Sequence, residues 1–133
     1  SEYENGGYST VELMNEAINS HVDGSDGAYD PYISPDESYI IFSSTRPGGY
    51  GNTDQYISYN ISGQWTNPEN LGAEINTAAT EYGSNISPDG KYYFFARRYS
   101  VNLCGIYWVS SSFIDSLKNT NFAPNEKNKI HDK

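Results

Sequence analysis

Two places in this chain gather side chains that can recognise a polar partner. The loop Arg46-Pro47-Gly48-Gly49-Tyr50-Gly51-Asn52-Thr53-Asp54 sets a cation and a carboxylate on either side of a glycine-rich tip carrying one aromatic, and Arg97-Arg98-Tyr99 repeats the arginine and tyrosine composition farther on. Arginine beside an exposed aromatic is the composition of a recognition surface. Arg46 and Asp54 are placed to pair across the neck of the loop. Arg97 and Arg98 point to opposite faces if a strand runs through them, so one can pair with the acidic body and leave the other for an anionic or carboxylate partner. The candidate ligand-binding residues are therefore Arg46, Tyr50, Asp54, Arg97, Arg98 and Tyr99.

Catalytic and metal chemistry have poorer material. The histidines are His21, in an acidic loop, and His131, in a polar tail, and no G-x-S-x-G elbow presents a serine. No H-E-x-x-H motif or cysteine pair offers a zinc site. Asp23, Asp26 and Asp30 stand among glycines, the chemistry of a hard cation, but the twelfth position from Asp23 is Ser34 where a calcium loop needs Glu. They are weak metal candidates. Gly48-Gly49-Tyr50-Gly51 lacks the Lys-Ser/Thr of a phosphate cradle. No catalytic residue and no cofactor is expected. Cys104 has no partner for an internal disulfide, and its apolar stretch, Val101 to Val109, predicts a buried thiol.

The elements that must position these residues are strands. Thirteen Tyr, five Phe and two Trp fall in short alternating runs bounded by Pro, Gly, Asn, Asp and Ser. One set reads 29–34, 39–44, 54–60 and 63–66. A second reads 81–87, 92–97 and 105–110, with no evident fourth strand. Ser34-Pro35-Asp36 and Ser87-Pro88-Asp89 join the first two strands of each set as tight turns: Pro presets φ, and Ser and Asp bond nearby amides. Asp36 and Asp89 are thus structural rather than catalytic. A short capped helix is expected from Ser112 to Lys118, and residues 119–133 read as a disordered polar tail after a domain spanning 1–118.

The two sets are copies of one unit. Residues 8–20 lie over 65–77 at an offset of 57, pairing Met14 with Leu71, Ile18 with Ile75 and Asn19 with Asn76. From Tyr29 the offset is 53, pairing Ile33 with Ile86, Tyr39 with Tyr92 and Phe42 with Phe95. A period of roughly 50 residues is that of blade-type repeats. Helical spacing at Val11, Met14 and Ile18 is overruled by the ungapped match to a segment holding Pro68 and Gly72.

Net charge is −9 over 133 residues, and residues 1–90 hold fourteen acids against the single base Arg46, which argues against a nucleic-acid partner. Mean hydropathy of −0.71 and the lack of a long apolar run argue against a membrane span.

The Ile-Ser-Pro-Asp turns, the Arg46–Asp54 loop, Tyr56-Ile57-Ser58, Gly63-Gln64-Trp65, Asn70-Leu71-Gly72 and Ile75-Asn76-Thr77 together resemble the PD40, or WD40-like, repeats of TolB-type β-propellers, over residues 7–118. The resemblance implies an all-β fold of two four-stranded antiparallel blades, periplasmic or extracellular placement, and a non-enzymatic role binding a protein or a cell-envelope glycan through interblade loops. The alternative it leaves open is the propeller portion of a hydrolase or polysaccharide lyase acting on peptides or oligosaccharides. Two blades alone would expose broad apolar faces. The chain is therefore expected to be a homo-oligomer, with six blades in a trimer as the favoured closed form, unless it is part of a longer propeller or packs as a compact sandwich. In the trimer, a strand near Tyr8–Val11 of one copy completes the last blade of the next.

Overall fold

A computed structural model of the chain describes residues 3–4, 6–8, 10–19 and 27–122. Among these residues the fold is all-β, with antiparallel sheets and one short helix. Strands β1 (Tyr3–Glu4) and β2 (Gly7–Tyr8) form a two-residue hairpin. Strands β3 (Ala28–Ile33), β4 (Tyr39–Ser44), β5 (Asp54–Ile61) and β6 (Gln64–Trp65) follow one another in a first sheet, and β7 (Glu69–Asn70) also pairs with β5. Strands β8 (Thr80–Ile86), β9 (Tyr92–Ser100) and β10 (Leu103–Ser110) make a second, three-stranded sheet, followed by α1 (Phe113–Phe122).

The internal repeat is written in the hydrogen bonds. At the first turn Ser34 N donates to Tyr39 O, Glu37 N to Ser34 O at 2.8 Å and Tyr39 N to Ser34 Oγ. At the second, Ser87 N donates to Tyr92 O, Gly90 N to Ser87 O at 2.8 Å and Tyr92 N to Ser87 Oγ. Asp36 accepts from the Ser38 amide and Asp89 from the Lys91 amide. The Ser34 and Ser38 hydroxyls hold the Asp36 carboxyl below its usual range, as Ser87 and the Lys91 amide do for Asp89. The upstream connection repeats too: Asn19 N bonds Asn15 O as Asn76 N bonds Gly72 O, and neither segment is helical.

The sheets pack face to face through the alternation of β4 and β5. Ile41, Ile57 and Tyr59 point to the second sheet, where they meet Ile86, Tyr93 and Phe95 together with Leu71, Ile75 and Ile114. Each such aliphatic or aromatic group contributes about 1.5–3 kcal/mol on burial. Ile40, Phe42 and Tyr56 point the other way, under Ile18 and Met14 of the amino-terminal connection. Tyr59 OH donates to Ile114 O, tying α1 to the first sheet.

Several expectations change. The second sheet holds three strands among the described residues, as the strand runs indicate and not the four that the resemblance implies, and its β9–β10 hairpin runs on to Ser100, three residues past the expected end of the strand at 97. Alternating β-formers sustain the ladder until Val101 and Asn102 turn it. The segment holding Pro68 and Gly72 contributes a strand of its own, β7, which bonds β5 at Tyr56 and Ile57. The amino-terminal strand expected near Tyr8–Val11 is Gly7–Tyr8, and it pairs with β1, Tyr8 opposite Tyr3. Helix α1 continues to Phe122, four residues past the expected end, and the rest of the expected tail lies outside the described residues.

Cys104 is exposed, not buried. It lies on β10, and the face of the second sheet that carries Cys104, Ile106 and Trp108 has no layer over it among the described residues, so an apolar strand leaves its side chains in water. In dilute solution, a bulky thiol reagent is expected to label native Cys104 as fast as the denatured chain. Labelling slower by more than about tenfold would show that this face is covered.

Candidate functional site

The six candidate ligand residues part into two groups of three. Arg46, Asp54 and Arg97 turn inward, and Tyr50, Arg98 and Tyr99 remain on the surface.

Arg46 donates from Nη2 to Ile18 O at 2.8 Å and from Nη1 to Ala17 O at 3.3 Å, with its guanidinium 5.1 Å from the Phe42 ring centroid and 5.0 Å from that of Tyr56. Arg97 does the same work in the second copy: Nη2 donates to Ile75 O at 2.8 Å, and the guanidinium lies 5.5 Å from Phe95 and 4.8 Å from Tyr107. Each arginine pins the preceding connection to its sheet and stacks on two aromatic rings. This shared device escaped the sequence alignment, because Arg46 stands four residues after Phe42 and Arg97 two after Phe95. The equal spacing of Arg46 to Tyr56 and Arg97 to Tyr107 was the available signal.

Arg97 also donates from Nε to Glu81 at 2.8 Å, and Glu81 is completely buried, accepting in addition from Thr77 Oγ1 at 2.7 Å and Thr77 N at 3.2 Å. Arg97 is thus the member of the Arg97-Arg98 pair that meets the acidic body. Asp54, buried on β5, accepts from Tyr50 N, from Gly51 N at 3.2 Å and from Asn70 Nδ2 at 2.9 Å. The neck is therefore closed by Asp54 on the loop's own amides, while Arg46 goes to the carbonyls. A Cβ on Gly49 would fall 2.1 Å from Asp54 Oδ2, and one on Gly51 2.3 Å from the carbonyls of Thr77 and Ala79, so these two glycines permit the close approach. Tyr50 is left at the tip, 52% exposed.

A buried polar chain joins the sheets. Gln55 Nε2 donates to Ser43 Oγ at 2.9 Å, and Gln55 Oε1 accepts from Tyr93 OH at 3.0 Å and from Ser84 Oγ. Burial raises the Tyr93 phenol well above its ordinary value, so it stays a donor. Asn76 lies alongside, its carboxamide pairing with both the N–H and the C=O of Gln55 at 2.8 and 2.9 Å.

Where β3 and β8 approach each other, a polar cleft of about 490 Å³ opens between Tyr29, Thr45, Asn52, Thr53, Thr80, Tyr82 and Arg98. Thr53 and Thr80 bridge its floor, and Tyr29 OH lies 2.6 Å from Thr53 Oγ1. Arg98 is exposed, with its guanidinium 6.0 Å from the Tyr82 ring centroid, and it joins no ion pair among the described residues. The Tyr82 hydroxyl lies 3.2 Å from Cys104 Sγ, a contact that raises the phenol's pKa. One guanidinium, two phenols, three threonine hydroxyls and an amide, with no acidic side chain among the described lining residues, suit a polar ligand bearing a carboxylate. Sequence reading found Arg98 here. It missed Tyr29, Tyr82, Thr53 and Thr80, which only the stacking of the two copies brings together.

Tyr99 sits outside this cleft beside Arg97, whose hydrogen bond holds the phenol below its ordinary value. A second groove, of about 630 Å³, runs between the Leu71–Ile75 connection and α1, with an aliphatic lining that includes Val109 and Leu117. Among the described residues no three His, Cys, Asp or Glu side chains come close enough to hold a metal ion. His21, Asp23, Asp26 and His131 lie outside the described residues, and Asp30 is exposed on β3. No helix among the described residues is long and apolar enough to cross a membrane. Comparison with protein-family models, curated proteins and solved structures finds no match.

Proposed function

We propose that the chain is a non-enzymatic interaction module of an exported bacterial protein, built from two PD40-type blades, and that it binds a carboxylate-bearing group of a protein or cell-envelope glycan. The observation that carries this reading is the cleft at the junction of the sheets, where exposed Arg98 stands over Tyr82 beside Tyr29 and Thr53. Arginine supplies a charge-assisted, forked contact to a carboxylate, and tyrosine supplies flat contact area with a hydroxyl at its edge. Tyr50 extends the same recognition chemistry along the interblade loop. The cleft's described lining residues supply a cation, phenols and hydroxyls, groups that bind a carboxylate by hydrogen bonding and charge.

An array of uronic-acid oligosaccharides and acidic peptides, each with its neutral counterpart, tests this directly. Retention of acidic members only, intact after recovery, is expected. Glycan hits and peptide hits separate the two ligand sources. Equal retention of neutral members would contradict the role of Arg98, and cleaved products would overturn the non-enzymatic reading.

A further inference from the structure

Building on the carboxylate reading of Arg98, we infer that the polar cleft takes an acidic oligosaccharide rather than a peptide, and that it holds two neighbouring sugars: a carboxylate-bearing one over Tyr82 and Arg98, and a neutral one over Tyr29 and Thr45. The internal repeat carries this. At the offset of 53, Tyr29 is the equivalent of Tyr82, and Thr45 of Arg98. All four line the cleft. One backbone device sets both tyrosines. An extra residue bulges β3 between Tyr29 and Tyr32 and β8 between Tyr82 and Asn85, with left-handed φ at the equivalent residues Asp30 (51°) and Gly83 (72°). Each phenol is then held at its tip, Tyr29 by Thr53 Oγ1 at 2.6 Å and Tyr82 by Cys104 Sγ at 3.2 Å. The cleft thus offers the same unit twice, a tethered aromatic beside a polar side chain. The decisive difference is charge: Arg98 stands where the first copy has the neutral hydroxyl of Thr45. Sheets packed face to face lie about 10 Å apart, so a ligand engaging both units extends beyond one sugar ring. A chain of like units, one acidic and one neutral, matches the lining.

A peptide is recognised in large part through backbone groups, by addition to an open strand edge or by capture of its terminal carboxylate on a nest of amides. The described residues favour neither. Strands β3 and β8 are edge strands, but the bulges interrupt both beside the tyrosines, and Pro31 removes an amide from β3. The amides around the floor are spent inside the fold: Asn52 N donates to Ala79 O at 3.1 Å, Glu81 N to Thr53 O at 2.9 Å and Thr45 N to Gly27 O at 3.2 Å. What lines the cleft is side chain. Hydroxyls and a carboxamide, which both donate and accept, suit the hydroxyls of a sugar, and tyrosine rings suit its apolar C–H face. Asp30, exposed next to Tyr29, also acts through its charge on the Tyr82 phenol. A second carboxylate, set on the Tyr29 side, is therefore repelled with no cation to meet it.

Calorimetric titration of the full chain with four probes is the test: a hexuronic acid joined to a neutral hexose, the methyl glycoside of that hexuronic acid alone, a disaccharide of two hexuronic acids, and a capped tripeptide carrying one glutamate. The mixed disaccharide should bind about tenfold more tightly than any of the others. Tyr29→Ala should erase its advantage over the single acidic sugar. Thr45→Arg, at an exposed position, gives the first unit the cation of the second and should raise the affinity for the two-acid disaccharide by about tenfold. A gain of binding cannot come from misfolding, so Thr45→Arg decides the matter even where Tyr29→Ala perturbs the fold. Tripeptide binding as tight as that of the mixed disaccharide, and still lost in Arg98→Ala, would overturn the inference and leave the carboxylate reading standing. So would equal binding of the single sugar and the mixed disaccharide. Acidic probes that bind Arg98→Ala as they bind the wild type, or that bind neither, would overturn both.

Discussion

Replacing Arg97 with alanine lowers the stability of the chain by about 3–5 kcal/mol, whereas the same change at its neighbour Arg98 moves it by less than about 0.5 kcal/mol. The contrast follows from which way each side chain points. Arg97 is nearly enclosed, and its removal strands the fully buried Glu81 carboxylate with the Thr77 hydroxyl and amide as its remaining donors. It also frees Ile75 O and removes the cation from the Phe95 and Tyr107 rings. An uncompensated buried charge is the dominant cost. Replacing both partners, as Arg97→Met with Glu81→Leu, should recover most of the loss, because an apolar pair of similar volume carries no desolvation penalty. Urea unfolding of the four proteins measures this. Equal losses at Arg97 and Arg98 would show that the strand places them otherwise.

Asn76→Ala should cost about 2–3 kcal/mol, and Asn19→Ala, at the equivalent position of the first copy, about 1 kcal/mol. Asn76 is buried and acts as a short strand, giving Gln55 both an acceptor and a donor and bonding Asn70 as well. Its loss orphans the Gln55 amide inside the first sheet. Asn19 is only half-buried and reaches Met14 O at 3.1 Å. The same residue at the same repeat position thus carries unequal loads, because only the connection between the sheets is enclosed on both sides. Denaturation midpoints of the two variants should differ accordingly, and a larger loss at Asn19 would contradict the packing order of the two sheets.

What was legible in the sequence is what is local. Alternating aromatics gave β4 its bounds, and the paired Ser-Pro-Asp turns gave both hairpins, because a turn's chemistry lies within a few residues of itself. The two-offset repeat was legible for the same reason. What could not be read was which face of each strand would find a cover. Cys104, Ile106 and Trp108 alternate as a half-buried strand should, yet the chain supplies no layer for them among its described residues. Arg46 and Arg97 looked like ligand residues because nothing local shows that Ile18 O and Ile75 O lie beneath them. The cleft around Arg98 was half legible: the cation stood out, but Tyr29, Thr53, Thr80 and Tyr82 converge only through the contact of β3 with β8.

The central claim is that this cleft binds a carboxylate through Arg98. Calorimetric titration of the wild type and of Arg98→Ala with the strongest acidic ligand from the array, repeated with that ligand's neutral amide or ester, tests it most directly. Loss of one charge-assisted contact, about 1.5–3 kcal/mol, predicts affinity lower by roughly ten- to a hundredfold for Arg98→Ala with the acid, and no difference between the two proteins with the neutral form. Unchanged affinity of Arg98→Ala for the acidic ligand would contradict it.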